Sequence, residues 1–325
     1  EPTAEVVEVV KNPNYYRAGE VTLEGIRFQT IKDLQQAALA YQAGIIDLVP
    51  SLSGEQIDIY KEDPEFQSHL GGYVHYLTPN QKDNRYLANV SLRRALALSV
   101  DREALAKNIL RDGSVPAEYL VARGLANAPD DRSDFRDGGA GVEGELRFNR
   151  EAALRSWNQA KGELNFSALT LGLLCEDSEA AQAVAQFLQA QFQNLPGLTI
   201  RVEPMPKESK GEKTRAGEFD LNLHRWGGDY RDPLTYLDLW ISTQHYSYRS
   251  RDYDDIVFSA RDGALAREPV RRFKELRRAE QVALRDVATI PLYQSGQSLL
   301  QKSNVKDIEY HFVQGGVFYY RVIKN

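Results

Sequence analysis

Phe219-Asp220-Leu221-Asn222-Leu223-His224-Arg225-Trp226-Gly227-Gly228-Asp229-Tyr230-Arg231-Asp232-Pro233 reads as a strand, a glycine loop and the opening of a helix in direct succession. Pro233 suits a first helical position, where its missing N–H costs nothing, and Asp232 fits the cap before it. Gly227 and Gly228 permit close backbone approach or unusual dihedrals. A strand that runs through such a loop into a helix belongs to α/β architecture.

The flanking sequence has the same grammar. Upstream, the spacing predicts a strand from Leu169, a helix over Ser178 to Gln193 and a strand over Thr199 to Glu203. In that helix Ala181, Val184, Ala185, Leu188 and Phe192 share one face. A helix over Arg150 to Lys161 precedes them. Further back, Asn89 to Arg111 is helical with a joint at Ser99-Val100-Asp101, Asp101 capping the second half. Tyr73 to Leu77, Gly25 to Gln29, Ile45 to Val49 and Ala4 to Val10 are predicted strands, with Lys11-Asn12-Pro13-Asn14 as a turn. Helices are expected from Asp33 to Gln42, with Gly44 as the left-handed residue past its end, and from Ser53 to Lys61. Downstream, helices start near Tyr253 and Pro269, a return strand begins at Thr289-Ile290-Pro291-Leu292-Tyr293-Gln294-Ser295, and the tail is β-rich. Ala126 to Gly144 is polar and Gly-rich and reads as a long surface loop; its acids lack the spacing of a calcium loop.

Composition narrows the functional classes. The 325 residues suffice for two or three lobes, and 42% apolar with 26% charged residues is an ordinary globular balance. A formal charge of -6 argues against nucleic acid as a partner. The one dense basic run, Arg271 to Arg278, is read as a solvated helix face. Cys175 is the only cysteine, so an internal disulfide or thiolate zinc site is excluded, and its place after Leu169 to Leu174 reads as a buried strand end. His69, His75, His224, His245 and His311 are scattered and form no local ligand motif. No nucleophile elbow, zinc-protease helix or phosphate loop is present, so no catalytic residues, no metal and no cofactor are assigned and the chain is not read as an enzyme. A glycosidase-type carboxylate pair stays open, because its members can be distant in the chain.

Four stretches, in order, resemble the peptide-type solute-binding proteins of ABC importers (family 5). They are Lys11 to Tyr16 with Ala38 to Leu48, then Val90-Ser91-Leu92-Arg93-Arg94-Ala95-Leu96-Ala97-Leu98-Ser99-Val100-Asp101-Arg102, then Phe219 to Pro233, and Ile290 to Tyr293. The sequence departs from the family's pattern at Asn89 and Ser91. The resemblance implies an α/β, periplasmic-binding-protein-like fold (type II, cluster C) with two lobes and a hinge, here without its N-terminal part. It also implies a division into residues 1–88 (second segment of lobe I), 89–292 (lobe III, the C-terminal lobe) and 293–325 (return to lobe I).

By the same resemblance the glycine loop lines an interlobe cleft, where an extended peptide adds to exposed backbone. Asp229 stands where a carboxylate pairs with the peptide α-ammonium in relatives; from the residues alone it is equally a turn aspartate. Arg225, Gly227 and Gly228 flank it. Arg225 reads as a surface ion pair or as a bidentate partner for a peptide carboxylate, Trp226 as pocket wall or core, and His224 as structural. The implied function is that of a monomeric importer component that hands short peptides to a membrane permease. The implied location is extracellular, as a lipoprotein or in the periplasm, with its anchor or signal outside this chain. The alternatives are a regulator's ligand-sensing domain, or a receptor for a metal chelate or sugar.

Overall fold

A computed structural model describes residues 5–137, 145–244, 246, 248–313, 317–319 and 321–324. Ala4, the 138–144 part of the expected loop and His245 lie outside them. The contacts divide the chain into two compact units: one of Glu1–Gly71, Arg111–Gly113 and Gly296–Asn325, the other of Gly72–Leu110 and Ser114–Ser295.

The first unit opens with an antiparallel ribbon of β1 (Val6–Val10) and β2 (Gly25–Gln29). Val7 faces Phe28 and Val9 faces Ile26, while Glu8 lies opposite Arg27 and pairs with it at 3.6 Å on the other face. Helix α1 (Leu34–Gln42) starts where the Asp33 carboxylate accepts the Gln36 N–H at 3.1 Å. It ends before Gly44, whose φ of +72° is the left-handed geometry expected there. Strand β3 (Leu48–Val49) is shorter than the predicted Ile45–Val49, because only Leu48 and Val49 find partners, Gln301 and Leu300. Helix α2 (Gly54–Tyr60) begins with a reciprocal capping box between Ser53 and Gln56. Ala37, Tyr41, Val49, Leu52 and Leu300 form this unit's buried cluster.

Strand β4 (Phe66–Pro79) is much longer than the predicted Tyr73–Leu77. Its first half, Gln67-Ser68-His69-Leu70-Gly71-Gly72, lacks the apolar alternation that marks a strand, and only pairing reveals it. The division between units falls within β4 at Gly71/Gly72 and within its sheet neighbour β9 (Ile290–Gln301) at Ser295/Gly296.

In the second unit α3 (Val90–Ser99) is capped by Asn89, and α4 (Arg102–Ala104) by Asp101, after which Leu105–Leu110 continues as a π-helical turn. Then follow β5 (Val115–Pro116), α5 (Arg150–Leu164), β6 (Leu169–Glu176), α6 (Glu179–Phe192), β7 (Leu198–Met205), α7 (Lys207–Ala216) and β8 (Leu221–Gly227). Last come α8 (Leu234–Leu237), α9 (Arg251–Arg261) and α10 (Pro269–Arg285). The sheet order is β9-β4-β8-β6-β7, with β5 on β9; β6 is parallel to β7 and β8, and β8 is antiparallel to β4. Helix α6 joins the parallel neighbours β6 and β7, and α7 carries the chain from β7 past β6 to β8 on its other side. Helix α7 carries little apolar periodicity, which is why the sequence did not announce it. Cys175 is fully buried in β6, and burial raises its thiol pKa. After β9, the short pairs β10 (Val305–Lys306) with β13 (Ile323–Lys324) and β11 (Glu309–Tyr310) with β12 (Val317–Phe318) close the first unit.

The charged residues of Val90–Arg102 prove to be internal pins. Arg93 donates to the carbonyls of Leu87, Ala88, Val287 and Asp286, and Arg102 to those of Pro291, Ala97, Val100 and Leu146. Burial lowers each guanidinium to about 10. The basic run on α10 also departs from a solvated face. Arg271, Lys274 and Arg278 are exposed, but Arg272 grips Asp232 with two bonds of 2.6 and 2.9 Å. Arg277 donates at 2.8 Å to the carbonyls of Phe135 and Asp134. The loop these groups hold is anchored again by Glu280, 4% exposed, which accepts the N–H groups of Leu120 and Val121 and pairs with buried Arg136.

Removing one member of such a pair leaves an uncompensated buried charge. Arg136→Met is therefore expected to destabilise the second unit by about 3–5 kcal/mol, read as a lowered urea midpoint. An unchanged midpoint would contradict the anchoring role of Glu280.

Candidate functional site

The antiparallel register of β4 and β8 sorts the site residues by face. Tyr73 lies opposite Gly227, Val74 opposite Trp226, His75 opposite Arg225 and Tyr76 opposite His224. Side chains alternate along a strand, so Arg225, Gly227, Tyr73 and His75 share one face, and Trp226, His224 and Tyr76 the other. On the first face Arg225 is exposed, with its guanidinium carbon 5.0 Å from the centre of the Tyr73 ring. It forms no ion pair among the described residues, so the surface ion pair expected for it is not what the structure holds. His75 stacks on Tyr293 with centroids 4.0 Å apart and planes 15° from parallel, its Nε2 3.0 Å from Ser295 Oγ.

The opposite face is packed. His224 Nε2 lies 2.8 Å from Thr78 Oγ1, and its ring stacks on Tyr246 at 4.7 Å beside Trp240. His224 is thus held inside the unit, in keeping with a structural reading. Trp226 is half-buried on this face and donates its indole N–H to the Thr235 carbonyl at 2.8 Å.

Beyond Gly227 the chain turns, and two successive backbone N–H groups are tied to α8. The Gly228 N–H donates to the Tyr236 hydroxyl at 3.1 Å, and that hydroxyl donates in turn to the Gly72 carbonyl on β4. The Asp229 N–H donates to Thr235 Oγ1 at 3.0 Å. Burial drives the Tyr236 pKa well above the ordinary phenol range, so the group stays neutral and able to donate and accept together. Asp229 is exposed. Asp232, by contrast, bonds the Leu234 N–H at 2.9 Å and Arg272, so the capping role falls to it rather than to Asp229.

Neither Gly227 nor Gly228 has a positive φ, so backbone conformation is not the reason for either. The reason is space. A Cβ on Gly227 would stand 2.6 Å from the Tyr73 ring, and one on Gly228 3.0 Å from the Thr235 methyl. The two glycines let the Tyr73 ring and the α8 turn close against the loop.

The five predicted site residues, Arg225, Trp226, Gly227, Gly228 and Asp229, therefore lie together at the end of β8, but Trp226 faces away from Arg225. Sequence reasoning missed Tyr73, Thr235 and Tyr236. The alternation of Tyr73 and His75 carries a weak signal of a shared face; nothing local says that Thr235 and Tyr236 fold back on the loop. A separate cavity of about 510 Å³ in this unit is lined by Asp101, Glu118, Tyr119, Arg123, Arg147 and Phe148, away from the loop. Among the described residues no cluster of His, Cys, Asp and Glu is placed to hold a metal ion, and no helix is long and apolar enough to cross a membrane.

Comparison with known proteins defines the class. Residues 1–248 match the family model described as bacterial extracellular solute-binding proteins, family 5 Middle. The chain belongs to that family. It is 27% identical over 316 residues to a dipeptide-binding protein of Lactococcus lactis, covering 93% of this chain and 56% of the relative. Among solved structures it is similar to the substrate-binding domain of an oligopeptide ABC transporter from Bacillus anthracis, with 32% identity and a TM-score of 0.84. That match covers 98% of this chain and 62% of the other. It is similar again to Listeria monocytogenes OppA bound to peptide, at 27% identity and a TM-score of 0.84, covering 99% and 62%. The fold is the α/β periplasmic-binding-protein fold. The chain spans about half the length of the curated relatives it matches.

The environment of His75 has a pH signature. Burial first, and the Arg225 charge second, lower its pKa to about 3. An unfolded histidine binds a proton near pH 6.5, so below that value the unfolded chain holds the extra proton. The associated stability is fully present above about pH 6.5 and is lost as pH falls towards 3. Urea midpoints at neutral and at acid pH should fall further for the wild type than for His75→Gln. Equal falls would show that His75 protonates freely in the folded protein.

Proposed function

We propose that this chain forms the peptide-holding part of an ABC-importer receptor that captures short peptides and hands them to a membrane permease. The observation that carries the reading is where the ladder between β8 and β6 ends. Its last pair is Asn222 opposite Leu174, and among the described residues no strand pairs with 225–227 on that edge. An extended peptide adds to such an edge through backbone groups shared by every sequence, so recognition is tolerant of side chains.

That edge runs directly into Asp229, which is exposed and whose own N–H is already satisfied by Thr235. Asp229 supplies the carboxylate for the peptide's α-ammonium, a charge-assisted contact of about 1.5–3 kcal/mol. Arg225, with no ion pair among the described residues, and the Tyr73 ring beneath it border the same strand end. Arg225, Gly227 and Gly228 serve as the flanking contacts, and Trp226 supports the loop from behind. The similarity to relatives named for dipeptide and oligopeptide binding supports a peptide over a sugar or a metal chelate. Membership of a family of extracellular solute-binding proteins supports a receptor that works outside the cytoplasmic membrane. There it acts as a monomer, held as a lipoprotein or free in the periplasm, without nucleic acid, cofactor or catalysis.

Calorimetric titration of the whole protein with a mixture of short alanine peptides, free and N-acetylated, tests the amine clamp. The free forms are expected to bind more tightly, and Asp229→Ala to cost about 10- to 100-fold and to erase that difference. Binding indifferent to both changes would assign Asp229 to structure and favour a non-peptide ligand.

A further inference from the structure

We infer that Tyr236, acting with Thr235, is the positioning residue that sets how well the loop recognises a charged peptide terminus. The inference rests on the peptide reading of the same site.

Tyr236 is fully buried and Thr235 is 4% exposed, so neither reaches a ligand through solvent. Both act through backbone. The Tyr236 hydroxyl accepts the Gly228 N–H and donates to the Gly72 carbonyl, joining the loop to the first residue of the second unit on β4. Thr235 Oγ1 accepts the Asp229 N–H at 3.0 Å, and its carbonyl accepts the Trp226 indole N–H at 2.8 Å. Three of the four residues from Trp226 to Asp229 are thus held by two adjacent residues of one short helix. The helix itself is held by Asp232, whose carboxylate bonds the Leu234 N–H and the Arg272 guanidinium.

A loop fixed in advance loses less freedom when a ligand binds, and a carboxylate held in place discriminates better between an ammonium and an amide. Beyond Gly227, where the ladder with β4 ends, the phenol hydroxyl ties the loop to that strand as well as to α8. Gly227 and Gly228, which allow the Tyr73 ring and Thr235 to press so close, belong to the same device.

Tyr236→Phe keeps the ring and removes both hydrogen bonds; Thr235→Val keeps the volume and removes the Asp229 bond; Thr235→Ser retains the hydroxyl. Each is made in the whole protein and titrated with short alanine peptides, free and N-acetylated, beside Asp229→Ala. The expected result is a roughly three- to tenfold loss of affinity for free peptides in Tyr236→Phe and Thr235→Val, with little change for acetylated ones. Thr235→Ser should restore most of the preference. A purely structural role would lower the melting temperature and weaken both peptide forms alike, leaving their ratio unchanged, and that result overturns the inference. If Asp229→Ala loses the amine preference while Tyr236→Phe and Thr235→Val keep it, the clamp stands and the positioning role falls. If Asp229→Ala keeps the preference, the clamp fails and the positioning role with it.

Discussion

The ladder between β4 and β8 is the constraint from which the candidate site follows. Once Tyr73 is opposite Gly227 and His75 opposite Arg225, strand alternation sends Arg225 to one face and Trp226 to the other. A slip of one residue would exchange the faces and place a guanidinium among Tyr76, Trp240 and Tyr246, where a charge without partners is costly. The register is therefore enforced by the aromatic packing around His224 as well as by the backbone bonds.

Not every feature that makes this chain recognisable belongs to its candidate site. Arg93 and Arg102, in the stretch that most resembles the family, donate to buried carbonyls, none of them in the 225–229 loop. Their lowered pKa values reflect burial, which outweighs the opposing charges of Asp286 on Arg93 and of Glu118 on Arg102. The arrangement holds because each guanidinium meets several carbonyls that would otherwise lose their hydrogen bonds inside the unit. Glu280 does the same for the 119–137 loop from the other side, with two N–H groups and Arg136 as partners. The 225–229 loop, in contrast, relies on neutral hydroxyls and on glycines that remove bulk.

Much of the architecture was legible locally. Asp33, Ser53, Asn89, Asp101 and Ser178 each cap the helix assigned to them, because a cap is an interaction between residues three positions apart. Only Tyr73 to Leu77, five of the fourteen residues of β4, was legible as a strand, since the run before Tyr73 becomes one only by pairing. Helix α7 was missed because its polar sequence carries no face. The solvated reading of Arg272 and Arg277 failed for a related reason: their partners, Asp232 and the carbonyls of Asp134 and Phe135, are far away in the chain.

For the site, the local pattern was enough to name the loop, Arg225 to Asp229, the order strand, glycine turn, helix, and Asp232 as the residue before the helix. Such information is carried by neighbours along the chain and by a family pattern written in contiguous residues. Folding was needed to show that the glycines answer to the Tyr73 ring and Thr235 rather than to φ, and that the Tyr236 hydroxyl adds a tie from the loop to β4. Those are contacts between residues brought together by pairing and packing, and no local propensity encodes the partner's address.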